Sequence, residues 1–201
     1  VLLHSKSSNI TRYNHLLTHA ERTKRNGHRA GVVWFTGLPG AGKSTITRLL
    51  EIDLTKKGYQ VTVVDNELVR NGLSSDLTFT HEDRTENIRR AGELSALLAR
   101  AGRIVLAGFI SPYQADRDIA RTATGEGFHE VFLDADAAVC EKRDADHLYE
   151  KAKAGSISEF TGVSAPYEKP LSPELVLDTE NLSVEETINL LSEYVDLNFT
   201  F

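Results

Sequence analysis

The sequence predicts an α/β fold in which a five-stranded parallel sheet is covered by helices on both faces. Three observations carry that expectation. Short, almost continuously apolar runs alternate with longer segments of helical periodicity. The alternation continues from about residue 31 to residue 195, with no repeat or low-complexity tract. A glycine-rich run joins the first apolar segment to the first helical one.

Gly31-Val32-Val33-Trp34-Phe35-Thr36 is apolar nearly throughout and ends at a glycine turn, as a strand buried on both faces does. Over residues 43–57, Ile46, Leu49, Leu50 and Leu54 recur at helical spacing, and Gly58 supplies a stop. Residues 60–64 form the second strand, ending at Asp65. Residues 81–101 form a helix with Ile88, Leu94, Leu97 and Leu98 on one side. Residues 103–107 give the third strand, closed by Gly108. Residues 112–123 are helical, with Pro112 in the first turn, where its missing N–H does no harm. Residues 128–133 are the fourth strand, 136–143 a short helix, and 174–177 the fifth strand. The last helix spans 183–195, with Ser183 and Glu186 at capping-box spacing.

The 201 residues suit a single domain, 1–201, with residues 1–30 as an N-terminal extension. Residues 144–170 break the rhythm. They are charged and weakly periodic yet keep Tyr149, Phe160 and Tyr167, which suits a lid. One cysteine, Cys140, allows no intramolecular disulfide and no four-cysteine metal site. That fits a reducing compartment and predicts a cytoplasmic protein, while the start at Val1 leaves room for an upstream organelle-targeting segment. A net charge of -6 opposes a nucleic-acid partner. No apolar stretch approaches the roughly 20 residues that span a bilayer, so no membrane partner is expected.

Ligands of such sheets bind at the carboxyl ends of the strands. After the first strand stands Gly37-Leu38-Pro39-Gly40-Ala41-Gly42-Lys43-Ser44, followed by Thr45. This is the complete G-x-x-x-x-G-K-[ST] pattern in its strand–loop–helix setting, and it makes the fold a P-loop NTPase type. Gly37, Gly40 and Gly42 free the backbone to turn successive N–H groups toward phosphate oxygens. The helix starting near Lys43 points its positive end at the same anion. Lys43 reaches the β- and γ-phosphates, and Ser44 offers a hydroxyl to a metal ion. The implied ligands are ATP or GTP, with Mg²⁺.

The chain is short for a switch or a motor, which favours a small-molecule kinase. Asp65 and Glu67 follow the second strand, and Ser111 follows the third. Carboxylates there can hold the metal's shell or take a proton from an attacking hydroxyl, although the same two residues also suit a helix cap and a solvated first turn. Six arginines, Arg70, Arg84, Arg89, Arg90, Arg117 and Arg121, follow. At least half are expected to pair with neighbours such as Glu82, Asp83, Glu86 and Glu93, whereas Arg70 and Arg84 flank the ground where an anionic acceptor would bind.

These residues resemble the adenylyl-sulfate kinase (APS kinase) family from about Asn9 to Val195. The likeness is carried by 28–37, by Glu82-Asp83-Arg84-Thr85-Glu86-Asn87-Ile88-Arg89-Arg90, and by Phe109-Ile110-Ser111-Pro112-Tyr113. Asp116-Arg117-Asp118, Cys140-Glu141-Lys142-Arg143-Asp144, Phe160-Thr161-Gly162 and Pro166-Tyr167-Glu168 extend it. The resemblance implies transfer of the γ-phosphoryl of ATP to the 3′-hydroxyl of adenosine 5′-phosphosulfate (APS). It implies that Arg70, Arg84 and Asn87 hold the phosphosulfate, that Phe79 and Phe160 sandwich the adenine, and that Ile110 and Ser111 border the acceptor. It further implies Arg143 near the ATP adenine, 144–170 as the lid, and a homodimer.

Two departures from the family's pattern stand on the acceptor side. Asp65-Asn66-Glu67-Leu68 replaces Asp-Gly-Asp-Asn, which lengthens the second carboxylate by a methylene and puts Leu68 in place of a polar residue. Asp144-Ala145-Asp146-His147-Leu148-Tyr149 replaces Asp-Pro-Lys-Gly-Leu-Tyr, exchanging a lysine for an acid. Two further readings therefore stay open, a same-fold kinase acting on another nucleotide conjugate and a non-catalytic nucleotide-binding module.

Overall fold

A computed structural model describes residues 16–201. Of the expected N-terminal extension, residues 1–15 lie outside the described residues. The elements are, in chain order, α1 His19–Asn26, β1 Gly31–Thr36, α2 Lys43–Lys56, β2 Val61–Asp65, α3 Asn66–Asn71, α4 His81–Arg100 and β3 Ile104–Gly108. They continue with α5 Gln114–Thr124, β4 Phe128–Asp134, α6 Ala137–Lys142, α7 Leu148–Lys153, β5 Leu175–Asp178 and α8 Val184–Phe199.

The five strands form one parallel sheet in the order β2-β3-β1-β4-β5. Alternate residues of β1 face opposite sides, and both sides are apolar because both are covered. Val33 and Phe35 join Leu50 and Leu54 of α2 and Leu191, Val195 and Phe199 of α8 in one core. Val32 and Trp34 join Ile88 and Ala91 of α4 and Ala120 of α5 in the other. Trp34 stacks on Phe109 with ring centroids 5.0 Å apart. Helices α4 and α5 touch through Gly92, where an added Cβ would lie 2.8 Å from Ala120 Cα, so only glycine permits that approach.

All five predicted strands are present, and the order of the sheet puts β1 at its centre with its C-terminal end between those of β3 and β4. Three short helices, α1, α3 and α7, add to the predicted set. They span only six to eight residues, too few turns to leave a clear apolar stripe. Four of the six arginines are structural. Arg89 and Arg90 bind Glu86, and Arg90 also binds Asp76. Arg117 lies buried beside Glu130 at 2.7 Å, and Arg121 reaches Glu174 at 2.6 Å.

Candidate active site

The loop after β1 and the start of α2 wall one side of a cavity of about 770 Å³. Pro39, Gly40, Ala41, Gly42, Lys43, Ser44 and Thr45 line it, with Asp65 and Glu67 across from them and Arg143 and Asp146 from the segment after β4. Gly40 has φ +84°, and a Cβ there would stand 2.5 Å from the Cys140 carbonyl. The loop is thus pressed against α6, whose Cys140 is free and buried. Gly37 and Leu38 are not among the cavity's lining residues, and their carbonyls accept from Lys43 Nζ at 2.8 and 2.7 Å. Burial pushes the Lys43 ammonium down to about 8. The two carbonyls favour its charged form.

Asp65 is the N-cap of α3. Its Oδ1 accepts from the Leu68 N–H at 2.8 Å, while its Oδ2 lies 4.0 Å from Arg48. Glu67, with 76% of its side chain exposed, lies 3.9 Å from the same guanidinium. The helix-cap role that the sequence allowed for Asp65 is therefore real, and it leaves the other oxygen of this cavity-lining residue without a capping bond. Leu68 is 61% exposed and lines neither this cavity nor the adjoining one, so the exchange of a polar residue for leucine there does not alter the lining of either.

A second, smaller cavity of about 60 Å³ adjoins the first, and Asn66 and Ile110 line both. Its other walls include Arg70, Phe79, Arg84, Asn87 and Ser111. The Arg70 guanidinium lies 4.2 Å from the centre of the Phe79 ring, and its Nη1 donates to the Thr78 carbonyl at 2.9 Å. Burial and the neighbouring Arg84 charge lower the Arg70 pKa. Arg84 donates to the Phe79 carbonyl at 2.9 Å and to Thr161 Oγ1 at 3.1 Å, and it also reaches the Glu159 carbonyl. It thereby fastens α4 to the 144–170 segment.

Phe160 does not line this cavity with Phe79. It packs edge-on against Tyr149, with ring centroids 5.0 Å apart. Ser111 sits at φ +38°, a backbone region that costs a non-glycine residue energy. Its hydroxyl accepts from Trp34 Nε1 at 3.1 Å and donates to Thr36 Oγ1 at 3.2 Å, with 1% of the residue exposed. Ser111 therefore borders the cavity while its hydroxyl organises the ends of β1 and β3. Arg143 donates to the Thr179 carbonyl at 2.7 Å on the floor of the larger cavity.

The sequence reading missed one wall of the larger cavity, made by Thr179, Leu182, Ser183, Val184 and Thr187. These residues follow β5 and begin α8. The capping-box spacing of Ser183 and Glu186 marked a helix N-terminus, but only the pairing of β5 with β4 brings it to the P-loop.

The chain's likenesses agree with this geometry. The family described as Adenylylsulphate kinase matches residues 29–178. An "Adenylyl-sulfate kinase" of Staphylococcus carnosus is 48% identical over 95% of this chain and 96% of that protein. One from Bacillus pumilus is 48% identical over 94% and 96%. Among solved structures, the Mycobacterium tuberculosis APS kinase in complex with AMPPNP and APS superposes with a TM-score of 0.80 at 41% identity, covering 84% of this chain and 98% of that one.

Proposed function

The chain belongs to the adenylylsulphate kinase family, and from that premise we infer that it moves the γ-phosphoryl group of ATP to the 3′-hydroxyl of APS. The products are 3′-phosphoadenosine 5′-phosphosulfate and ADP. The observation that supports this reading best is the pair of adjoining cavities sharing Asn66 and Ile110. A phosphate end in the larger one abuts an acceptor in the smaller.

The P-loop amides and Lys43 bind the phosphates, with Arg143 beside the ATP adenine. Arg70, Arg84 and Asn87 hold the acceptor, Phe79 meets its base, and Ile110 and Ser111 shape the seam. Phe160 would join Phe79 on the base when the 144–170 lid closes, since it already rides on that segment. In the transfer, the bond from Pγ to the β,γ-bridging oxygen breaks as the 3′-oxygen bonds to Pγ. Glu67 takes the 3′-proton, because its carboxylate carries no capping bond, unlike that of Asp65. Most of the acceleration comes from positioning and charge.

Mg²⁺ fits the residues present. Ser44, with a hydroxyl, and Asp65, with one uncapped carboxylate oxygen, line one cavity, and a hard cation that keeps waters and phosphate oxygens needs little more from the protein. When bound, the ion neutralises charge on the phosphate oxygens. No helix among the described residues is long and apolar enough to cross a membrane. A cytoplasmic location, from the single cysteine, and a homodimer, from the family resemblance, belong to this reading, and light scattering on the purified chain tests the second.

The reading is tested by coupled-assay turnover with Mg-ATP and APS against other nucleotide acceptors. APS-dependent ADP release supports it. Release with another acceptor but not with APS defeats it, as does tight ATP binding with no release.

A further inference from the structure

Asn66 occupies the seam between the two cavities, and its side chain has a defined task. One atom, Oδ1, accepts from Arg70 Nε at 3.2 Å and from Asn87 Nδ2 at 3.2 Å. Both donors belong to residues that line the smaller cavity. A single acceptor therefore sets the orientation of a guanidinium and of an amide.

The consequence for Asn87 is chemical. The residue is 2% exposed, and one of the two hydrogens of its Nδ2 amide goes to Asn66. Its other polar atom, Oδ1, is buried with no partner among the described residues. A buried, unpaired acceptor is costly unless a ligand supplies a hydrogen. A phosphosulfate has no hydrogen to offer at neutral pH, whereas a ribose hydroxyl or an exocyclic amine has. Arg70, held at Nε by Asn66 and at Nη1 by Thr78, keeps its remaining donors for the anion.

We propose that Asn66 is a positioning residue that divides the labour in the acceptor cavity: it fixes Asn87 to accept from a neutral donor group of the acceptor and fixes Arg70 to meet its anionic group. This deepens the proposed function and rests on the smaller cavity being the APS site. Glycine at this position, the family's usual residue, has no side chain with which to do either. The amide of Asn87 would then be free to turn.

The test is a set of variants read by separate KM values for APS and ATP, with thermal melts to show that each folds. Asn66 is exposed in the first turn of α3, so its variants should retain the fold. Asn66→Ala should raise the KM for APS about 5- to 10-fold, the scale of one lost hydrogen-bonding constraint, with the KM for ATP within about twofold. Asn66→Asp keeps an acceptor for both donors and should recover most of the loss. In an Asn87→Ala background, Asn66→Ala should cost distinctly less than in the native chain.

An unchanged KM for APS, an equal rise in both KM values, equal damage from Ala and Asp, or full additivity with Asn87→Ala would each overturn the assignment. Arg84→Ala separates the two layers. If it leaves the KM for APS unaltered, the cavity reading fails and takes Asn66 with it. If it raises that KM and Asn66→Ala does not, the Asn66 assignment alone fails.

Discussion

Thr36 Oγ1 and Tyr167 Oη share a hydrogen bond of 2.9 Å, and the count of hydrogens fixes its direction. Thr36 spends its one hydroxyl hydrogen on the Ile110 carbonyl at 2.7 Å, so Tyr167 is the donor. The residue just before the P-loop is thus tied to the 144–170 segment. A second tie runs from Tyr149 Oη to the Pro39 carbonyl at 2.8 Å.

Tyr167→Phe removes the first tie without orphaning Thr36, which still accepts from Ser111. The expected cost is about 1 kcal/mol of unfolding free energy, read by urea denaturation. The KM for ATP should rise, because the lid loses an anchor to the strand that carries the loop. Unchanged stability and unchanged KM would show that the contact does not couple the two.

Lys43 predicts a pH dependence of ATP binding. With its pKa near 8, the side chain is already an ammonium below that pH, and affinity there should not vary on its account. Bound phosphates favour the charged form and raise the pKa. Above pH 8, binding must take up a proton, so affinity should fall by up to about tenfold per pH unit until the pKa of the complex is reached. Isothermal titration in buffers of different ionisation enthalpy reads that proton directly. Lys43→Ala should abolish turnover and remove this pH dependence.

Glu67 and Asp65 are separated by their bonding. Glu67→Gln should lower kcat about 10²-fold with little effect on stability, whereas Glu67→Asp keeps the carboxylate and should retain far more rate. Asp65→Ala removes an N-cap and should cost about 1 kcal/mol in stability besides its effect on catalysis. Equal rates for the Gln and Asp variants of Glu67 would move the proton acceptor elsewhere.

The buried pair of Arg117 and Glu130 stands under the site, because Arg117 Nη1 also donates to the Ser111 carbonyl at 2.7 Å. Glu130→Ala strands the guanidinium, although Arg117 keeps its carbonyl partners. A loss of about 3–5 kcal/mol is expected by chemical denaturation. A loss below about 1 kcal/mol would mean that the guanidinium finds water or another acceptor.

The strands and the phosphate loop were legible in the sequence because their demands are local. Continuous apolar runs mark strands buried on both faces, and glycine at 40 answers a left-handed backbone angle. The arginines were legible only as a group. Which of them faces the acceptor depends on how α4 is turned by Ile88 and Ala91 in its core, so that Arg84 meets the cavity while Arg89 and Arg90 meet Glu86. The wall from Thr179 to Thr187 depended on strand order, which no local pattern encodes. No local pattern marks Phe79 and Phe160 as ligand contacts; the family resemblance alone assigned them, and only Phe79 lines the smaller cavity here. Asn66 was visible only as a departure, and its bonds to Arg70 and Asn87 give that departure a role.

The central claim is the destination of one phosphoryl group. Incubation with ATP labelled at the γ-phosphorus, Mg²⁺ and APS should place the label on the 3′-oxygen of the acceptor, with one ADP formed per labelled product. Label recovered only as inorganic phosphate, or on a different nucleotide offered in competition while APS stays unmodified, would contradict the account.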